Sequence, residues 1–96
     1  MRRAVFLLMA LALAACGEKT PPAPTPEQAL LLKPADARLA GLYENACKAC
    51  HATPGTGAPL VHDRAAWDPR RKQGEAVLLD HTIQGFKAMP ASGQCA

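Results

Sequence analysis

The chain is short of the material from which a small domain ordinarily builds its core. Aromatic residues are 4% of its 96 residues, and beyond residue 34 they are only Tyr43, Trp67 and Phe86. The hydrophobic share of 49% is swollen by alanine and by the N-terminal run. Domains near 60 residues are marginal without reinforcement, so something other than these side chains must fill the middle. No apolar stretch reaches the roughly 20 residues that a membrane-spanning helix needs. Charge of one sign is also scarce. Arg2 and Arg3 belong to the N-terminal leader, and without them nine basic residues face eight acidic ones, net +1. No basic stripe interleaved with aromatics is present, which argues against nucleic acid as a partner. The run Arg70-Arg71-Lys72 reads as a solvated turn. There is no internal repeat, and no strand pattern surrounds residues 47–51.

What is present begins with a leader. "MRRAVFLLMALALAAC" opens on two arginines, runs apolar from Ala4 to Ala15 and ends in small residues. This is the pattern of an export signal covering residues 1–15, followed by a mature chain. "LAAC" before Gly17 resembles a bacterial lipobox, which implies lipidation of Cys16 and anchoring to a bacterial membrane; glycine after the cysteine favours the outer one. Two or more acyl chains, at about 0.8 kcal/mol per buried methylene, would hold firmly. Residues 16–34 carry Pro21, Pro22, Pro24, Pro26 and Pro34, and are expected to form an extended tether. Its stretch from Gly17 to Pro26 would reach roughly 30 Å at the polyproline rise. Residues 35–96 remain for one domain.

The four cysteines are Cys16, Cys47, Cys50 and Cys95. With Cys16 lipidated, three are left, an odd number for an oxidising compartment. Two of them lie in "CKACH", residues 47–51. A Cys47–Cys50 disulfide closes a tiny loop, stabilises little and leaves His51 unexplained. A thioredoxin-like dithiol requires a βαβ setting. Zinc requires four ligands, and the paired knuckle is absent, though Cys95, His62 or His81 would be available to complete a set. Attachment of a c-type haem accounts for every member: two thioethers from Cys47 and Cys50, and His51 as the proximal iron ligand. One haem c per chain also supplies the missing core.

A second axial ligand is needed on the opposite face. Once the leader is gone Met89 is the only methionine, 38 residues after His51 in "GFKAMPASG". Pro90 lacks an amide donor and biases Met89 away from helix, so the segment is expected to be a loop able to lay a thioether on iron. Sulfur ligation favours the ferrous state relative to two histidines. The rivals are His81, in the helical stretch "GEAVLLDHTIQG", and His62, beside the loop "GTGAPLV".

With these residues in place, positions 36–95 resemble a class I c-type cytochrome, close to the cytochrome c5 family. The resemblance is carried by "GLYENACKACH", "GTGAPLVHD", Trp67, Arg70, "GEAVLL" and "GFKAMPASGQC". The family often has glycine where this chain has His62. The resemblance implies a small all-α fold wrapped round covalent haem. It also implies that the Pro59 carbonyl accepts the His51 ring N–H, and that Trp67 and Arg70 lie by a haem propionate, each able to donate to it.

Leu39, Leu42, Tyr43 and Ala46 fall at helical spacing, with Asp36 as a plausible N-cap. Gly41 costs that helix about 1 kcal/mol, and in the family a glycine there admits a crossing helix. Residues 52–63 read as a loop. A helix from Gly74 is expected to turn Val77, Leu78 and Ile83 inward and to end at Gly85. Such cytochromes usually close with a C-terminal helix, and "SGQCA" offers none, so the cytochrome domain is expected to be incomplete at its C-terminus.

The function these residues imply is not enzymatic. With both axial positions filled and too little chain for a catalytic pocket, the expected role is a single-electron carrier. It would be tethered to a membrane and face the periplasm. Its partners would be a quinol-oxidising complex, a terminal oxidase or a periplasmic reductase. The alternative is a haem sensor or peroxidase-like protein in which the sixth ligand is labile or absent.

Overall fold

The computed structural model describes residues 16–94. The leader at 1–15 and Cys95 lie outside the described residues. The described residues form five α-helices: α1 Pro26–Leu31, α2 Ala37–Ala46, α3 Lys48–His51, α4 Arg64–Arg71 and α5 Glu75–Gln84, followed by a tight turn at Ala91–Gln94. Their one β-type pairing is a bridge between Phe86 and Met89. None of these helices is long and apolar enough to cross a membrane.

The first helix corrects the expectation of an extended segment up to residue 34. The prolines at 21, 22 and 24 do lie in non-helical chain. Pro26, however, occupies the first turn of a helix, where its missing amide costs nothing. Thr25 and Gln28 close a capping box: the Thr25 hydroxyl accepts from Gln28 N at 3.2 Å, and the Gln28 side chain accepts from Thr25 N at 2.9 Å. Ala29 on this helix is fully buried.

In α2 the Asp36 carboxylate caps Leu39 N at 2.9 Å. Leu39 and Leu42 stay about half exposed. Nothing lies within 4 Å of where a Cβ on Gly41 would stand. The close helix crossing expected at this glycine is therefore absent among the described residues. α2 ends on Cys47, which also opens α3.

α4 forms although its sequence carries a proline in its interior. Asp63 caps it through Ala66 N at 3.3 Å, and it continues across Pro69. An exposed Arg64–Asp68 pair at 3.4 Å adds a few tenths of a kcal/mol at most. Glycines with positive φ bracket α5: Gly74 at 96° and Gly85 at 87°. At Gly85 a Cβ would stand 3.1 Å from both Ala91 N and Met89 O, so only glycine lets the chain turn back so closely there. α5 packs chiefly against the Ala91–Gln94 turn and more lightly against α4. Of the three side chains expected to face inward, Leu78 is half-buried, whereas Val77 and Ile83 are open.

Candidate functional site

The site starts from a single helical turn. Cys47 O accepts from His51 N at 3.0 Å and Cys50 N at 3.3 Å, while Cys47 N donates back to Tyr43 O at 3.0 Å. Cys47 is half-buried and Cys50 exposed. Residues three and four apart on a helix share a face, so Cys47 presents its side chain beside those of Cys50 and His51.

The loop over residues 52–63 then folds back on this turn and fixes it. Val61 N donates to His51 O at 2.8 Å. The Thr56 hydroxyl donates to Cys50 O at 2.9 Å, with Thr53 O at 3.2 Å as a second acceptor. His51 Nδ1 lies 2.8 Å from Pro59 O, the contact the resemblance implied. A carbonyl can only accept, so Nδ1 carries the proton and the Nε2 lone pair is left for a metal. This bond also sets the ring's orientation and raises its basicity. Thr56 and Val61 had no signal in the sequence beyond lying in a glycine-rich loop.

Trp67 stacks beside His51, ring centroids 5.9 Å apart at 29°. Its indole N–H, expected at a haem propionate, donates instead to Leu60 O at 2.8 Å. Indole has one donor, and here it is used within the polypeptide, while the ring packs beside the imidazole. Arg70 is exposed and one guanidinium nitrogen donates to Ala66 O on its own helix.

Met89 is half-buried in a two-residue turn closed on both sides, with Phe86 N donating to Met89 O at 3.0 Å and Met89 N to Phe86 O at 2.9 Å. Lys87 at its tip has a φ of 51°. Of the rival ligands, His81 lies flat on Phe86, 4.0 Å between centroids at 9°, with Lys87 Nζ 5.3 Å from the same ring. His62 is exposed and holds φ at 59°. That left-handed backbone explains why glycine is common at this position in the family the chain resembles. No three Cys, His, Asp or Glu side chains converge as a metal-ion set among the described residues. The zinc alternative is not assembled there.

The residues present suit a porphyrin. Among the described residues only Ala29 and Ala52 are buried apolar side chains, while Leu39, Leu42, Val77, Leu79, Ile83 and Phe86 keep large apolar surface open. Two thiols, one oriented imidazole and a part-buried thioether stand on this framework.

Tyr43, one turn before Cys47, holds a buried hydroxyl with no hydrogen-bond partner among the described residues. Burial raises its pKa above the ordinary value near 10, with Lys48 opposing that shift. The unfolded chain therefore loses this proton first as pH rises, and stability falls from about pH 10 upward. Tyr43→Phe is expected to leave neutral-pH stability unchanged or up to about 1 kcal/mol higher, and to flatten the alkaline decline. Thermal melts of the holoprotein at pH 7 and above pH 10 measure both.

A small all-α domain with a thiol–thiol–imidazole turn is the architecture of a haem-attaching protein. Residues 34–96 match the family model described as cytochrome c oxidase, cbb3-type, subunit III. Cytochrome c-555 of Chlorobaculum tepidum is 46% identical over 55 residues, covering 53% of this chain and 51% of that protein. Cytochrome c5 of Azotobacter vinelandii is 46% identical over 52 residues, covering 52% of this chain and 63% of that protein. The chain thus spans about half to two thirds of the length of these relatives. A solved structure described as the electron transfer complex of nitrite reductase with cytochrome c superposes with a TM-score of 0.57 at 39% identity, over 64% of this chain and 75% of that one. The chain belongs to the class I c-type cytochromes. Its cofactor is covalent haem c with iron, and Cys47, Cys50 and His51 fit the C-x-x-C-H attachment motif.

Proposed function

We propose that this protein is a single-electron carrier with His51 and Met89 as the axial ligands of its haem iron. The observation that carries the reading is the His51–Pro59 bond at 2.8 Å, which frees Nε2 while fixing the ring. Bound haem supplies an iron that cycles between ferrous and ferric. The chain's own residues do the rest. Cys47 and Cys50 hold the group covalently, and Pro59 and Trp67 keep the imidazole in one orientation. The reciprocal Phe86–Met89 bonds hold the thioether segment in one shape, so little rearrangement accompanies a change of charge. Arg70 has unused donors on an exposed guanidinium and is proposed to lie near a haem carboxylate.

Residues 1–15 are proposed as an export leader, 16–34 as the link to a lipid on Cys16, and 35–96 as the cytochrome domain. Cys16 is exposed. The protein would then face the periplasm from a bacterial membrane, the outer one favoured. It would exchange electrons with a quinol-oxidising complex, a terminal oxidase or a periplasmic reductase. A cytochrome c in complex with a nitrite reductase, the structural relative above, supports the last of these.

The carrier reading excludes an open iron site. Ferrous holoprotein matured in cells is expected to leave its spectrum unchanged under carbon monoxide and to show no turnover with peroxide. Rapid carbon monoxide binding would favour a sensor or peroxidase-like protein instead.

A further inference from the structure

We propose that residues 21–32 form a strap closing the haem site along its Trp67 edge, so that the segment linking domain to anchor also limits how much water reaches the haem. The inference rests on haem being seated at Cys47, Cys50 and His51.

Three observations support it. First, α1 has a covered face and shares a cavity with the body of the protein. Its six residues fall well short of the roughly 12–15 that an isolated helix needs. Ala29 is 0% exposed although its neighbour Leu30 is 50% exposed, so one face is covered and another is open. Second, the strap and the body line an open cavity of about 1010 Å³, with Pro22, Pro24 and Leu32 from the strap and Val61, Trp67 and Leu78 from the body. Trp67 is also the ring stacked on His51, so the cavity and the iron ligand share a wall. Third, the ionisable residues at this cavity are His62, Arg64 and Arg71, with no carboxylate among them. Apolar walls with cationic side chains suit the carboxylate-bearing edge of a porphyrin.

The composition of the strap fits the role. Pro21, Pro22, Pro24 and Pro26 restrict the unlocked chain, so docking it loses less entropy than docking a flexible linker. Within residues 21–32 the one charged side chain is Glu27, which is exposed and does not line the cavity. The strap's effect on the iron would act through exclusion of water, which disfavours the more highly charged ferric state.

The test uses the full-length holoprotein and three neutral substitutions. Ala29→Gln disturbs the covered face, Thr25→Ala removes the cap more mildly, and Leu30→Gln, on an open face that does not line the cavity, is the control. Amide hydrogen exchange and the midpoint potential are measured on the same samples. The wild type should protect the amides of residues 29–32. Ala29→Gln and Thr25→Ala should speed their exchange about fivefold or more and lower the potential. Leu30→Gln should alter neither. Freed exchange with an unmoved potential would overturn the proposal, as would unprotected amides in the wild type or unchanged exchange in Ala29→Gln. The methionine–iron absorption of the same wild-type sample reports separately on the ligand assignment, so failure of the strap and failure of the site are distinguishable.

Discussion

Met89→Ala will lower the reduction potential of the matured holoprotein by on the order of 0.1 V or more, within the roughly 0.8 V over which axial ligands set haem potentials. A thioether is soft and stabilises ferrous iron; water or hydroxide in its place stabilises ferric iron. The substitution should act through the ligand rather than the fold. Met89 is held by its backbone, through two bonds to Phe86 at 3.0 and 2.9 Å, and an alanine keeps both. Gly85, where a Cβ would stand 3.1 Å from Met89 O and Ala91 N, is likewise untouched. Folding of the variant, followed by circular dichroism, should therefore stay near the wild type while redox titration shows the fall. An unchanged potential would remove Met89 from the iron.

The double substitution Cys47→Ser, Cys50→Ser has the second large expected effect. Without thioethers, acid-acetone extraction should remove all haem colour, whereas the wild type keeps it. The variant should also lose most of its helix once the haem is extracted. Ordering a backbone costs about 1–2 kcal/mol per residue, and large buried side chains ordinarily offset that cost. Among the described residues the buried apolar side chains are Ala29 and Ala52, neither of them large. Far-UV circular dichroism of the extracted variant measures the outcome. A cooperative melt in the absence of haem would show that the polypeptide folds on its own packing, contrary to the role given to haem as core.

The parts of this molecule legible in the sequence are those fixed by short-range chemistry. Asp36 as a cap, Gly85 as a helix stop and the 47–51 turn all depend on residues within four positions of one another. The Pro59 contact to His51 spans eight residues and entered through a family resemblance. What stayed hidden was masked by proline or set by tertiary contact. Pro26 looked like part of an extended spacer because four further prolines shared the segment, yet at the first turn it starts a helix whose capping pair, Thr25 and Gln28, was present in the sequence. Pro69 concealed α4 in the same way, since proline inside a helix ordinarily breaks it. The partner of Trp67 is a backbone carbonyl seven residues away, and side-chain identity carries no record of it. The half-open Leu39 and Leu42 show the converse: their helical spacing was plain, but spacing does not say what, if anything, covers the face.

The ferric absorption spectrum of wild-type protein, produced with the cytochrome c maturation machinery, tests the central claim most directly. The account predicts a low-spin spectrum with a methionine–iron charge-transfer band at its red end. A high-spin spectrum lacking that band would contradict the pairing of His51 with Met89.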